Sequence, residues 1–226
     1  MEPRSSSPWS QAGTVAGFLQ SPPNATLMRY AHAERARRPF TRILDIGCGA
    51  GRNAGPLAEA GLEVIGLDLS SPMLEAAHSR PRAVSGTLRL TRSDMDHLPI
   101  RDHSVDLVIA HGIWNLAASG AEFRRAVREA ARVSRPGAGL FVFTFSRNTL
   151  DADATPVPGE AFIFNQFSGT PQCFLTEEQL VSELAATGFA LDQTTVTLTE
   201  HNRPRPGQLR STGGPVIFEG AFRLTP

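Results

Sequence analysis

The sequence contains no lysine. All 22 basic residues are Arg, set against 22 acids, so the formal net charge is zero and the pI is about 7.0. Without Lys, Schiff-base and Lys-general-base chemistry are excluded. Without a basic excess the chain lacks the electrostatic footprint of a polyanion binder, and no nucleic-acid partner is expected. Two cysteines, Cys48 and Cys173, are too few for a disulfide framework or a structural zinc centre, and they point weakly to a reducing compartment. No apolar run approaches the ~20 residues of a membrane span. The first residues lack the continuous apolar stretch of a signal peptide. The expected location is the cytoplasm, with no membrane partner.

What is present is a chain of 226 residues, 41% hydrophobic. At that length roughly 70% of the surface is buried on folding, which suits one sizeable domain. Residues 1–23 hold four Pro and five Ser and are expected to form a flexible arm. Residues 24–226 are then a single domain. Asn24 is placed to cap a helix running to about residue 38, and Pro39 follows its end. Apolar strands are expected at 42–47, 63–68, 87–92, 105–111 and 138–146, with helices at 52–60, from Ser71 onward and at 121–134. Strands joined by single helices give right-handed crossovers. The fold class is therefore α/β, a doubly wound, mostly parallel sheet with helices on both faces.

The last third departs from that rhythm. Thr176 and Gln179 form a capping-box pattern that opens a helix at 177–187. Two strand-like stretches follow, 189–199 and 215–224, with no helix between them, so they should pair antiparallel. Phe189 and Leu191 are out of phase with Val196 and Leu198, which places a bulge near Gln193.

The sharpest feature is Asp45-Ile46-Gly47-Cys48-Gly49-Ala50-Gly51, where a strand turns into a helix. Glycines there permit positive φ and let a ligand approach the backbone. Asp68 ends the next strand, where a carboxylate accepts hydrogen bonds from both ribose hydroxyls. A dinucleotide loop reads G-x-G-x-x-G, but position 52 is Arg and the last glycine comes one residue early. Asp45 has no role toward a pyrophosphate. It can help hold an ammonium group, directly or through water.

At these residues the chain resembles the class I S-adenosylmethionine-dependent methyltransferases. Five stations carry the likeness in order: ILDIGCGAG (43–51), VIGLDLS (64–70), SDMDHLP (93–99), DLVIAH (106–111) and SRPGAG (134–139). The Gly51-Arg52-Asn53 that closes the loop is similar to that of several small-molecule members. The resemblance implies a seven-stranded sheet with an antiparallel last strand. It also implies S-adenosyl-L-methionine as cofactor, S-adenosyl-L-homocysteine as product and a small-molecule acceptor.

Carried over by position, Gly47, Cys48, Gly49, Gly51 and Asn53 would line the amino-acid end of the cofactor, with Asp45 beside it. Asp68 would bind the ribose, Leu69 and Met73 would flank the adenine, and Asp94 and Met95 would meet its edge. His111 and Gly112 would lie near the sulfonium. Met73 and Met95 also read as core filling, and Asp94 as a loop carboxylate.

Three segments leave the carboxyl edge of such a sheet, at 112–120, 147–175 and 200–214. The longest, 147–175, is expected to be a lid over the acceptor, together with the arm and first helix. Arg203, Arg205, Arg210 and His201 in the third read either as a clamp for an acidic substrate or as a solvated hairpin tip. A hydroxyl or ammonium acceptor must lose a proton, which calls for a base. His111 is the first candidate and His201 the second, although a strand-end His also reads as hydrogen-bonded structure. Trp114 and Asn115 are candidates for positioning the acceptor, and Trp114 reads equally as an anchor of the loop to the core. No metal site is expected. The alternatives are a methyltransferase acting on protein or nucleic acid and a non-catalytic cofactor-binding module. The Pro-Pro-aromatic motif of amino-directed nucleic-acid members is missing after the fourth strand.

Overall fold

The computed structural model describes residues 8–80, 86–203 and 214–225. Residues 12–20, read from the sequence as part of a flexible arm, form helix α1 (Ala12–Gln20). Helix α2 (Ala25–Arg37) follows, capped by the Asn24 side chain, which accepts from the Leu27 N–H.

The alternating segment folds as expected. It runs β1 (Arg42–Ile46), α3 (Ala54–Glu59), β2 (Glu63–Asp68), α4 (Ser71–Ser79), β3 (Thr87–Arg92), β4 (Val105–His111), α5 (Gly120–Val133) and β5 (Ser134–Phe145). The stretch after β5 carries a small two-stranded sheet of β6 (Ile163–Phe164) and β7 (Gln172–Cys173). Helix α6 (Glu177–Ala185) opens on the predicted capping box, with Thr176 and Gln179 bonded reciprocally. Strands β8 (Phe189–Leu191), β9 (Thr199–His201) and β10 (Ile217–Leu224) complete the fold.

The main sheet has the order β3-β2-β1-β4-β5-β10-β8, with β9 also paired to β10. β1 to β5 are mutually parallel, and β10 runs antiparallel to β5. Among the described residues the sheet thus has eight strands rather than seven. The extra strand, β9, takes Thr199 from the stretch 189–199, read from the sequence as one bulged strand, and Glu200 and His201 from the segment read as a loop. Asp192 accepts from both the N–H and the hydroxyl of Thr194, an Asx turn that breaks the strand in two. Both pieces then pair with β10.

Apolar residues fill both faces. On one, α5 contributes Phe123, Ala126, Val127 and Ala130, and α6 contributes Leu180 and Leu184, against Leu44, Ile46, Val108 and Leu140. On the other, Leu27, Tyr30 and Ala31 of α2 and Leu57 and Ala58 of α3 cover Ile43, Val64, Leu107, Ile109 and Phe141. Strand residues alternate between faces, so Asp45 and His111 lie on the α2–α3 side. Among the described residues no helix is long and apolar enough to cross a membrane.

Candidate cofactor and acceptor site

β1 has β2 on one side and β4 on the other, so the strand order reverses at its carboxyl end. Ligands of open parallel sheets bind in that crevice. The glycine loop stands there. Gly47, Gly49 and Gly51 have φ of +68°, +53° and +73°, a region that side chains other than glycine rarely adopt. A Cβ on Gly47 would stand 2.8 Å from the Ile113 side chain.

The loop and the β2 acid meet directly. Asp68 Oδ2 accepts from the Gly49 N–H at 2.8 Å, and Oδ1 accepts from the Ser70 N–H at 2.8 Å. Burial nevertheless raises the Asp68 pKa above its usual range, against those backbone hydrogen bonds. Cys48 donates its N–H to Leu67 O at 2.9 Å. Its thiol points into the sheet against Gly66, where a Cβ would come within 2.8 Å of Sγ, and burial raises its pKa. Cys48 thus borders the loop through its backbone and through a thiol that donates to Gly49 O at 3.7 Å.

Asp45 is buried, and its Oδ2 has no hydrogen-bond partner among the described residues. Burial raises its pKa to about 7, the Asp68 charge adds to the rise, and the Arg52 charge opposes it. Burial in turn lowers the Arg52 pKa. A buried acid with an unmet acceptor, close to a half-buried guanidinium, suits a zwitterionic amino-acid group. The ammonium would go to Asp45 and the carboxylate to Arg52. The residues present thus fit S-adenosylmethionine at its amino-acid end. Sequence reading used Arg52 to exclude a dinucleotide and as part of the Gly51-Arg52-Asn53 likeness, but gave it no place in the site.

His111 ends β4 and stacks on Phe143, with ring centroids 4.1 Å apart. Asn24 Nδ2 lies 3.1 Å from its Nε2, and Arg52 Nη2 lies 3.2 Å from the same atom. Burial, then the Arg52 charge, lowers its pKa to about 3. The ring is neutral at physiological pH and far too weak a base to take a proton there. That weighs against the expectation of His111 as general base; its ring nitrogens face Asn24 and Arg52. Trp114 as an acceptor residue is corrected. Its indole is fully buried, edge-on to Phe123 at 5.9 Å, so it anchors the segment after β4 instead of meeting an acceptor.

Asn53 Oδ1 accepts from the Asn24 N–H at 2.9 Å, which ties the start of α2 to the end of the loop. Met73 is buried at the first turn of α4, Leu69 is 46% exposed, Asp94 is exposed and Met95 is half-buried against the core. These four are spread around the mouth beyond β2 and β3.

A polar row missed by sequence reading crosses to β10. Asn24 Nδ2 also donates to Glu219 Oε1 at 2.7 Å, and Glu219 Oε2 lies 3.1 Å from His201 Nε2. His111 and Glu219 both register with Phe143 of β5. Glu219 is buried, whereas the His201 side chain is 43% exposed. Arg203 pairs with Glu200 at 3.3 Å; Arg205 and Arg210 lie outside the described residues.

The stretch after β5 is anchored to both the core and the edge. Phe162, Ile163, Cys173 and Leu175 join the α5–α6 core, and Phe145, Phe164, Phe167 and Phe174 form an aromatic cluster at the end of β5. Phe167 is 45% exposed. Two surface clefts, of about 440 and 400 Å³, lie at the amino ends of β1 to β3 and beside Phe167; neither includes the glycine loop in its lining.

A glycine-rich strand-to-helix turn, an acid on the next strand and an antiparallel strand beyond β5 define a Rossmann-like nucleoside-binding protein. The comparisons narrow that class. Residues 44–143 match the methyltransferase-domain family. A malonyl-[acyl-carrier protein] O-methyltransferase from Enterobacter lignolyticus is 32% identical over 188 residues, 79% of this chain and 69% of that protein. A demethylmenaquinone methyltransferase from Renibacterium salmoninarum is 36% identical over 112 residues, 49% of this chain and 44% of that protein. The chain thus spans less than half the length of that relative. Among solved structures, an S-adenosylmethionine-dependent methyltransferase from Methanosarcina mazei superposes with a TM-score of 0.64 at 22% identity, covering 86% of this chain and 97% of that one. The 1,6-didemethyltoxoflavin-N1-methyltransferase of Burkholderia thailandensis, solved with 1,6-didemethyltoxoflavin and S-adenosylhomocysteine, gives 0.64 at 17% identity, covering 89% of this chain and 79% of that one. The chain belongs to the class I S-adenosylmethionine-dependent methyltransferases.

Proposed function

We propose that this protein transfers the methyl group of S-adenosylmethionine to a small-molecule acceptor. The observation that carries the reading is the buried, unpartnered Asp45 oxygen at the switch point, beside the glycine loop and the Arg52 guanidinium. In this reading Asp45 and Arg52 hold the amino-acid end. Asp68 accepts from the ribose hydroxyls, Leu69 and Met73 flank the adenine, and Asp94 and Met95 meet its edge. The sulfonium supplies an activated methyl group. The chain's own task is to align an acceptor in line with it, an arrangement that contributes on the order of 7–11 kcal/mol.

The acceptor lies over the carboxyl ends of β4 and β5 and the amino end of the antiparallel β10. The Phe145–Phe167–Phe174 cluster offers it an apolar wall, and the segment 147–175 serves as its lid. The names of the relatives, demethylmenaquinone and malonyl-[acyl-carrier protein] methyltransferases, support an acceptor that is a small molecule or a small carried group. Zero net charge and the missing Pro-Pro-aromatic motif weigh against nucleic acid. With His111 neutral, the proton of a hydroxyl or ammonium acceptor goes to His201, which the buried Glu219 orients through Nε2.

Thermal shift tests the cofactor half. A ligand at 100 times its Kd adds about 2.7 kcal/mol of apparent stability. S-adenosylhomocysteine should raise the Tm and NAD should not. Asp68→Ala should abolish that rise while the protein stays folded. An unchanged affinity in Asp68→Ala would show that the ribose binds elsewhere.

A further inference from the structure

The cradle described above is covered by α1. Phe18 of that helix lies over the glycine loop, 3.7 Å from where a Cβ on Gly49 would stand. Trp9 packs edge-on against Phe18, with ring centroids 5.9 Å apart. The same segment reaches the β2 acid. Ser10 Oγ is 3.1 Å from Ser70 Oγ, and Ser70 Oγ donates to Trp9 O at 3.3 Å. Ser70 is the residue whose N–H is held by Asp68.

Helix α1 has little stability of its own. It is nine residues long, holds Gly13 and Gly17, lacks a side-chain cap at its start and buries none of its residues. Helices of this length are marginal in water, and glycine is among the weakest helix formers. Something outside the helix must hold it, and one side chain does so from the far side of the cradle. Arg80, at the end of α4, donates Nε to Ala50 O of the glycine loop at 2.5 Å. Its Nη2 donates to Phe18 O at 3.2 Å and to Leu19 O at 2.8 Å. Those two carbonyls belong to the last turn of α1, where they have no helical partner and carry the negative end of the helix dipole. A planar guanidinium can grip both segments at once; a point charge cannot.

We propose that Arg80 is a positioning residue that clips α1 over the glycine loop, so that closure retains the nucleoside and release of the clip is the opening step for its exchange. This rests on the cofactor reading above. It makes α1 part of the binding site, formed from an element that contributes almost nothing to the core.

The test is stopped-flow binding of S-adenosylhomocysteine, followed by the fluorescence of Trp9, with Trp9→Phe as the control for the buried Trp114. Arg80→Gln should speed dissociation about tenfold, the effect of losing one or two such hydrogen bonds, and Arg80→Lys should fall between. Gly13→Ala with Gly17→Ala acts on α1 without touching Arg80. Nothing lies within 4 Å of either added Cβ, so this variant should slow dissociation. Hydrogen exchange at 12–20 should slow with ligand in the wild type and much less in Arg80→Gln, while β4 and β5 exchange alike in both. Unchanged dissociation in both the Arg80→Gln and the double-alanine variants would overturn the clip. Tighter binding in Arg80→Gln would overturn it too, because α1 would then be an obstacle. A wild type that fails to bind S-adenosylhomocysteine sinks the cofactor reading itself, and the clip with it; normal binding that ignores Arg80 sinks the clip alone.

Discussion

At the end of β1, Asp45 carries a proton more readily than a carboxyl in water, with a pKa near 7 set first by burial and then by the Asp68 charge. Two pH effects follow, of opposite use to the protein. An ammonium needs the ionised acid, so S-adenosylhomocysteine affinity should rise between pH 6 and 8. Asp45→Asn should weaken binding and flatten that rise. Stability runs the other way. The folded pKa lies above the unfolded one, so the stabilising contribution is complete below about pH 4 and is lost as pH climbs through 7. At pH 8 the ligand-free Asp45→Asn protein should be more stable than wild type by roughly 2–4 kcal/mol, with the gap closing at pH 4. Urea titrations of both proteins at the two pH values would check this, and a gap that ignores pH would refute the buried-acid account. Gly47→Ala combines a left-handed φ with a contact at 2.8 Å to Ile113. It should cost about 1–2 kcal/mol from the backbone alone and more from the overlap, read as a lowered Tm with loss of the ligand-induced rise. Asp45, the three glycines and Asp68 were legible in sequence because they sit in two short local patterns. Arg52 was read for the motif and not for a site role, since its hydrogen-bond partner, His111, is 59 positions away.

On the scale of elements, the start of α2 does two jobs. Asn24 caps the helix through Oδ1 and uses Nδ2 to reach His111 and Glu219. Asn24→Ala should cost about 1–2 kcal/mol, the usual loss of a cap. Aspartate caps as well as asparagine, so Asn24→Asp would be harmless if capping were the only role. Here it would set a carboxylate against Glu219 Oε1, now 2.7 Å from the amide nitrogen, and should destabilise at least as much as alanine. Thermal melts of the two variants decide between the roles. Capping was legible because its two ends, Asn24 and Leu27, are three positions apart. The link to Glu219 was not, because the two residues are 195 positions apart. The strand read across 189–199 failed for a related reason. A period-two pattern records which way side chains point, while the Asx turn at Asp192 and Thr194 that breaks the strand is a hydrogen-bonding event.

Across the whole molecule, the carboxyl edge of the sheet carries the candidate site and the opposite edge carries a network of ions that holds the layers together. Arg223 of β10 bonds to Glu34 of α2 and to Asp192 beyond β8, and Arg38 also bonds to Glu34. Glu34 is 1% exposed, and its arginine partners hold its pKa below the usual carboxylate range despite burial. Arg223→Ala should destabilise by about 1–3 kcal/mol, because it takes one of two arginines from the buried Glu34, which Arg38 still pairs. S-adenosylhomocysteine affinity, measured well below the Tm, should not change; a large loss would mean that the two edges are coupled. The sequence by itself determined the order of strands and helices, the crossovers and the glycine-acid cradle, since each follows from local periodicity, turn chemistry and the chirality of the chain. Only the tertiary structure decided that burial disfavours a charged His111, that Trp114 is an anchor, that Glu219 meets His201, and that Arg80 bonds to both α1 and the glycine loop. Those facts depend on burial and on charges brought together from distant positions, and no local pattern encodes either.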